Sequence, residues 1–287
     1  MLQEKVLLLG YGDIARRLAR LLVGYQITGV RRTSPYIPTL DTEVAIRFAD
    51  CRKLEQMQAI MSEGFDIIVM TFTPTVRNDV GYREAYVDTM CTVLDVLKQQ
   101  PYRPRLVVFV SSSSVYAQMD ASWVDEDSVT APTHYSGLRL LEAEQRLQNS
   151  GLDYCCVRFS GIYGPGRERL IQQVIVGDHS PAEPIIYSNR IHVDDCVGVL
   201  AHLIQQHKTQ AIDSLYLATD CLPVPIHEVK QWLARQLTLP DNANPTSRSS
   251  RGSKRCSNKR LLGTDYQFLY PSYREGYTEL LKRRKNL

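Results

Sequence analysis

The sequence predicts the α/β fold class, a doubly wound parallel sheet with helices on both faces and a smaller C-terminal region. Three observations predict it. Over roughly the first 160 residues, short apolar and β-branched runs alternate with longer stretches of helical period. The first of these runs ends in a glycine turn that opens a helix. The 287 residues, 44% hydrophobic and 23% charged, have ordinary globular composition and enough length for one large domain or two small ones.

In chain order, the runs expected as strands are Lys5 to Leu9, Gln26 to Val30, Val44 to Phe48, Ile67 to Thr71, Leu106 to Ser111 and Tyr154 to Arg158, with a later one at Ser214 to Ala218. Each is short and dominated by Val, Ile, Leu or Phe, as strands buried on both faces are. The expected helices are Asp13 to Leu22, Leu54 to Glu63, Tyr82 to Gln99 and Tyr135 to Gln148. Residues 1–162 therefore read as one domain completed by a strand near 213–219, and residues 163–287 as a second region interleaved with it. After Gly161 the periodicity breaks at Gly164-Pro165-Gly166, Pro181, Pro184, Pro223 and Pro225, which signals loops and short helices. The segment Asp241 to Asn258, rich in Asn, Ser and Arg, is expected to be a mobile loop.

The formal net charge is +3, but residues 244–287 carry 11 basic and 3 acidic side chains. Such a stretch fits a nucleic-acid tail, a site for an anionic ligand or a solvated edge. No aromatic is interleaved before Tyr266 to stack on bases, so no nucleic-acid partner is expected. Seven cysteines, an odd number with no C-x-x-C pair, argue against a disulfide framework or a cysteine zinc site. The opening apolar run is too short for a signal-peptide core, and no later one reaches membrane-spanning length, so a cytoplasmic location without a membrane partner is expected.

Leu7-Leu8-Leu9-Gly10-Tyr11-Gly12-Asp13-Ile14-Ala15 is a strand followed by G-x-G-x-x-A and a helix. Gly10 permits the tight turn, Gly12 lets a pyrophosphate approach the backbone, and Ala15 lets helix and strand pack closely. The phosphates would sit on the helix N-terminus, where unpaired N–H groups and the dipole favour an anion. About 20 residues past this turn, where an NAD site places an acid for the ribose 2′-hydroxyl, the second strand ends in Arg31 and Arg32. An arginine there pairs with a 2′-phosphate, so NADP is expected in preference to NAD. Asp50, after the third strand, reads as an adenine-side residue or as the N-cap of the helix at Leu54.

Further motifs follow in order: Ser111-Ser112-Ser113-Ser114-Val115-Tyr116 after the fifth strand, Pro132-Thr133-His134-Tyr135 before a helix, Arg158 with Tyr163-Gly164-Pro165-Gly166, Ile191-His192-Val193-Asp194-Asp195, and Tyr270-Pro271-Ser272-Tyr273-Arg274-Glu275-Gly276. Together with the glycine turn, the chain resembles the short-chain dehydrogenase/reductase superfamily, extended or atypical branch, over nearly its whole length. The resemblance implies a Rossmann fold and Tyr-assisted hydride transfer. It assigns Ser112 to the substrate oxygen, Tyr135 to general acid/base chemistry, and position 139, here Arg139 where the family has lysine, to ribose contact and positive charge. A phenol of pKa near 10 needs such a cation to act near neutrality, and i and i+4 share a helix face. Arginine keeps the charge but cannot relay a proton.

The resemblance also implies cofactor contacts at Thr71, Phe72, Thr73, Ser111, Phe159, Ser160 and Ile162, and substrate contacts at Ser113, Ser114, Tyr163, Arg167 and Arg190. The two arginines suit an anionic group. Ser113 and Ser114 stand where the family's sugar dehydratases carry Asp-Glu, which argues against dehydration. Ser188-Asn189-Arg190 stands where nucleotide-sugar members carry Arg-Asp-Tyr or Arg-Asp-Phe. Two functional classes are consistent with these residues. One is an NAD(P)-dependent oxidoreductase or epimerase acting on a hydroxyl or carbonyl carbon, of a sugar or nucleotide sugar among others. The other is a dinucleotide-binding sensor that lacks turnover because the lysine is gone. The family also forms homodimers through the helices matching 82–99 and 135–148. His192, Asp194 and Asp195 fit a strand-to-helix junction with an Asp as N-cap rather than a metal site, no metal is expected, and His134 is a candidate auxiliary polar contact.

Overall fold

The structure, a computed structural model, describes residues 3–32, 43–239 and 252–285. The expected mobile loop Asp241 to Asn258 lies outside the described residues over 241–251. In chain order the elements are β1 (Lys5–Leu9), α1 (Asp13–Leu21), β2 (Gln26–Arg31), β3 (Val44–Phe48), α2 (Leu54–Met61), β4 (Ile67–Met70), α3 (Asp79–Tyr82), a π-helix (Arg83–Asp88), α4 (Thr89–Gln99), β5 (Leu106–Ser112), a 3-10 turn (Ser113–Val115), β6 (Trp123–Val124), α5 (Tyr135–Gln148) and β7 (Tyr154–Phe159). They continue with β8 (Gly161–Tyr163), α6 (Arg169–Ile175), β9 (Tyr187–Ser188), β10 (Arg190–His192), α7 (Val193–Gln206), β11 (Leu215–Ala218), β12 (Val224–Pro225), α8 (Ile226–Gln236), β13 (Arg255–Cys256), α9 (Lys259–Leu262) and α10 (Tyr273–Lys285).

Seven strands form one sheet in the order β11-β7-β5-β4-β1-β2-β3. β1 pairs in parallel with β2 and with β4, β2 with β3, and β4 with β5. The strand order reverses between β1 and β4, the point where open α/β sheets bind ligands beyond their strand ends. The four residues of β4, and Val6 to Leu9 of β1, are buried, which is why those segments read as unbroken apolar runs. β3, at the sheet edge, is mostly exposed.

The chain divides into two compact units. The first comprises residues 1–115, 130–158 and 197–216, and the second residues 116–129, 159–196 and 217–287. Residues 116–129 thus fall in the second unit and most of α7 in the first, a finer division than a cut at residue 162. The second unit holds three two-stranded pairings, β8 with β10, β9 with β12, and β6 with β13. Its core gathers Tyr163, Leu170, Ile171, Val174, Val229, Leu233, Tyr273, Tyr277 and Leu280 from β8, α6, α8 and α10.

Two expectations about elements are corrected. The helix expected over 82–99 begins at Asp79 and passes through the π-helix before α4. Asn78 caps its start by accepting from the Gly81 N–H at 2.8 Å. The acid expected to cap the helix after Ile191-His192 does not do so, because α7 starts at Val193 and His192 Nδ1 accepts from the Asp194 N–H at 3.2 Å. Asp195 is instead fully buried and accepts from the Leu269 N–H at 2.7 Å, the Tyr270 N–H at 3.0 Å and the Tyr266 hydroxyl at 3.0 Å. It pins the chain before α10, which is how Asp194-Asp195 and the Tyr270 element, far apart in sequence, serve one structural purpose.

Candidate active site

The strand ends at the switch point are tied by Thr71, whose N–H donates to Leu9 O at 2.9 Å and whose hydroxyl donates to Gly10 O at 2.9 Å. Gly10 has φ +82°, and a Cβ there would meet Thr71 O at 3.0 Å and the Phe72 ring at 3.1 Å, so the turn requires glycine. Gly12 is the N-cap of α1 and offers no side-chain cap, so the N–H groups of the first turn, at Asp13, Ile14 and the buried Ala15, have no side-chain acceptor from that position. A Cβ on Gly12 would find only Gly10 O, at 3.7 Å. Space beside an uncapped helix start is what a pyrophosphate needs, and these residues fit a dinucleotide. Asp13 in that turn is paired with Arg17 at 2.9 Å.

Arg31 closes β2 and Arg32 follows it, with Arg32 Nη2 donating to Thr75 Oγ1 at 2.6 Å. Asp50 grips Arg52 through Nε at 3.0 Å and Nη2 at 2.7 Å, and Arg52 holds its carboxyl below the usual range. It is not the helix cap, since Lys53 precedes α2 and supplies no side-chain cap. Beyond Thr71, Phe72 is half-buried and Thr73 exposed.

β5 delivers Ser111 and Ser112 to the same sheet edge. Ser112 Oγ accepts from the Ser114 N–H at 3.2 Å, closing the turn that carries Ser113. Ser114 Oγ is buried without a hydrogen-bond partner. Ser111 Oγ donates to Glu144 Oε1, so its hydroxyl is engaged inside the protein. Glu144 in turn holds Arg158 through Nε at 3.1 Å and Nη2 at 2.6 Å, and all three residues are buried. This triad was not anticipated, because its members come from β5, α5 and β7 and no spacing links them.

α5 starts at Tyr135, with His134 as its N-cap accepting from the Ser136 N–H at 3.3 Å, so His134 acts on the helix backbone. A Cβ on Gly137 would stand 2.4 Å from Ser114 O, so the first turn of α5 seats directly on the serine turn. Ser112 and Tyr135 are thereby brought to one end of the sheet. The Tyr135 hydroxyl donates to Arg77 O at 2.7 Å, and its ring lies 5.3 Å from Tyr82 and 4.0 Å from His134. Arg139 pairs with both Asp79 oxygens, at 2.7 and 2.9 Å, and with Glu142 at 2.9 Å. Those carboxylates push the guanidinium pKa up further, and the hydrogen-bonded guanidinium in turn holds the Asp79 carboxyl below its usual range. The cation expected beside the tyrosine is thus ion-paired to Asp79 and Glu142, and the Asp79 contact spans 60 residues with no local pattern to announce it.

Phe159, Ser160, Ile162, Tyr163, Arg167 and Arg190 belong to the second unit. Ser160 Oγ donates to Thr219 Oγ1 at 3.0 Å, Tyr163 stacks on Tyr277 at 4.3 Å, and the Arg167 N–H closes a turn on Gly164 O at 2.8 Å. Arg190 Nε is buried without a hydrogen-bond partner. Close by in charge terms is Asp220, 2% exposed, whose carboxyl accepts from the Leu222 N–H at 3.2 Å. Burial pushes its pKa up to about 8, with Leu222 and Arg190 opposing and Asp195 and Glu275 reinforcing the rise. Because this exceeds the unfolded value near 4, the stability linked to its proton is complete below pH about 4 and is lost as pH rises to about 8. Asp220→Asn abolishes that loss, so thermal melts at pH 5 and 9 should show the variant gaining on the wild type by on the order of a few kcal/mol at the higher pH. A stability difference that stays constant with pH would contradict the assignment.

The sequence matches the NAD dependent epimerase/dehydratase family over residues 6–216. The chain belongs to that family. Its fold is similar to a candidate NAD-dependent epimerase/dehydratase from Methylobacillus flagellatus, at 35% identity and TM-score 0.84, covering 99% of this chain and 100% of that one. It is also similar to UDP-glucose 4-epimerase from Thermotoga maritima with UDP-glucose, at 14% identity and TM-score 0.80 over 98% and 99% of the two chains. A third similar structure is dTDP-glucose 4,6-dehydratase from Bacillus anthracis in complex with NAD, at 14% identity and TM-score 0.80 over 99% and 97%. No curated protein matches the sequence. Among the described residues of this epimerase/dehydratase-family chain, no helix is long and apolar enough to cross a membrane and no cluster of His, Cys, Asp or Glu could hold a metal ion.

Proposed function

We propose that this family member is an NADP-dependent oxidoreductase or epimerase acting at a hydroxyl-bearing or carbonyl carbon of a small molecule, with sugars and nucleotide sugars as the first class to examine. The observation that carries the reading is the seating of Gly137 on Ser114 O, which joins Tyr135 to the Ser112 turn at the sheet edge where the Gly10 to Ala15 cradle opens. Gly10, Gly12 and the first turn of α1 would hold the pyrophosphate, and Arg31 and Arg32 a 2′-phosphate. When bound, the nicotinamide supplies hydride acceptance or donation. Tyr135 then passes a proton to or from the substrate oxygen, and Ser112 Oγ donates a hydrogen bond that orients that oxygen. Arg167 and Arg190 suit an anionic substrate group. A homodimer through the helices at 82–99 and 135–148 and a cytoplasmic location belong to the same proposal, and no nucleic-acid or membrane partner is required.

The ion pairing of Arg139 with Asp79 and Glu142 favours a second reading, a dinucleotide-binding sensor without turnover. Arg139→Lys separates the two, because activity that appears only in that variant supports the sensor.

Fluorescence titration with NADPH and NADH tests the cofactor assignment. NADPH should bind the wild type at least about tenfold more tightly, and Arg31→Asp should erase or reverse that preference. Equal affinities unchanged by the substitution would overturn it.

A further inference from the structure

Three side chains that the proposed function assigns to the cofactor and to catalysis meet one short segment, although Arg139 is also paired with Glu142 of its own helix. Arg32 donates to the hydroxyl oxygen of Thr75, Tyr135 to the carbonyl oxygen of Arg77, and Arg139 to the carboxylate of Asp79. The donors come from three places in the sequence, the end of β2 and two positions on α5, yet their acceptors lie within five consecutive residues. All three acceptors are oxygens: a hydroxyl, a carbonyl and a carboxylate. A dinucleotide presents the same chemistry through its phosphates and ribose hydroxyls.

We infer that residues 75–79 form an internal strap that competes with the dinucleotide for Arg32, Tyr135 and Arg139, so that cofactor binding requires the strap to release them. The inference rests on the proposed cofactor site.

The local build of the segment supports movement as one piece. Residues 75–80 are exposed, so their own side chains give up no core packing when they shift. The turn is internally braced, with the Asn78 side chain accepting from the Gly81 N–H at 2.8 Å. Gly81 sits so close to Val76 that a Cβ on it would stand 2.2 Å from Val76 O. Beyond α3 the chain enters the π-helix at 83–88, whose hydrogen-bond register differs from that of α4 and allows a local change of winding. The clasps are weak enough to exchange. Asp79 and Arg139 are 50% and 30% exposed, so solvent screens the pair and it does not lock the strap.

The competition also gives Arg139 a purpose that lysine would fill less well. A guanidinium can hold both Asp79 oxygens at once, and an ammonium cannot. The departure from lysine at position 139 and the carboxylate at position 79 are then two halves of one device.

The test is NADPH binding, read from the cofactor's own fluorescence, in the wild type, Asp79→Asn, Thr75→Val and the double variant. Each single substitution removes one acceptor with little change of shape and should tighten NADPH by ~2- to 5-fold, the size of an exposed ion pair or hydrogen bond. The double variant should tighten it further. Binding that is equal or weaker in all three variants overturns the strap and leaves the cofactor site standing. Absence of NADPH binding in all four proteins overturns the cofactor site and the strap with it.

Discussion

Tyr135→Phe is expected to lower turnover by roughly 10²- to 10⁴-fold on any hydroxyl or carbonyl compound that the wild type converts, while NADPH still binds. The substitution removes one oxygen and leaves the ring against Tyr82 and His134, at centroid distances of 5.3 and 4.0 Å, so the first turn of α5 keeps its packing. The oxygen lost is the one that donates to Arg77 O. A hydroxyl that donates there is not donating to a substrate, so the proposed chemistry needs that contact to open. Parallel measurement of kcat and of NADPH affinity separates the roles: a fall in kcat alone identifies proton transfer, and a Phe variant with wild-type kcat removes Tyr135 from the mechanism.

Glu144→Ala should cost about 3–5 kcal/mol of stability, because it removes the carboxylate that faces the buried Arg158 guanidinium. For a chain of this size that corresponds to a fall in melting temperature on the order of 10 °C. Ser111 loses its acceptor in the same step. The double substitution Glu144→Leu with Arg158→Leu should cost less than Glu144→Ala, since no unpaired charge remains. Melting of both variants within a degree of the wild type would show that the pair contributes nothing. Because Glu144 ties α5 to the end of β5, the milder Glu144→Gln, which can still accept from Ser111, should retain more activity than the alanine variant.

These two predictions differ in how far the sequence alone led to them. Tyr135 and Ser112 were legible because each sits in a local pattern, a serine run closing a strand and a tyrosine opening a helix, and such patterns are written in consecutive residues. The sheet was legible for a similar reason. Strands such as Val6 to Leu9 and Ile67 to Met70 are buried on both faces and must be continuously apolar. Glu144 was not legible, because its importance comes from Arg158 on β7 and Ser111 on β5, and nothing in the helix marks one of its two glutamates as the buried one. Asp79 was hidden similarly, since its partner Arg139 lies 60 residues away. The start of that helix was written more plainly than the period suggested: Asn78 is a strong N-cap residue, but Gly81 and the π-helix broke the 3.6-residue repeat that locates helices. The role of Arg32 was half legible. Its position after β2 pointed to a phosphate, while its contact with Thr75 depends on a turn whose shape no residue of the pattern declares.

If a dinucleotide lies on the turn between β1 and α1, as proposed, Gly12→Ala will reveal it in a thermal-shift assay with and without NADPH. A methyl group there meets only Gly10 O at 3.7 Å and Gly12 has an ordinary φ of −104°, so the cofactor-free variant should melt with the wild type. The same methyl occupies the space a pyrophosphate needs, so the stabilisation that saturating NADPH gives the wild type, about 2.7 kcal/mol at one hundred times Kd, should be largely lost. An undiminished NADPH shift in Gly12→Ala would contradict the placement of the cofactor.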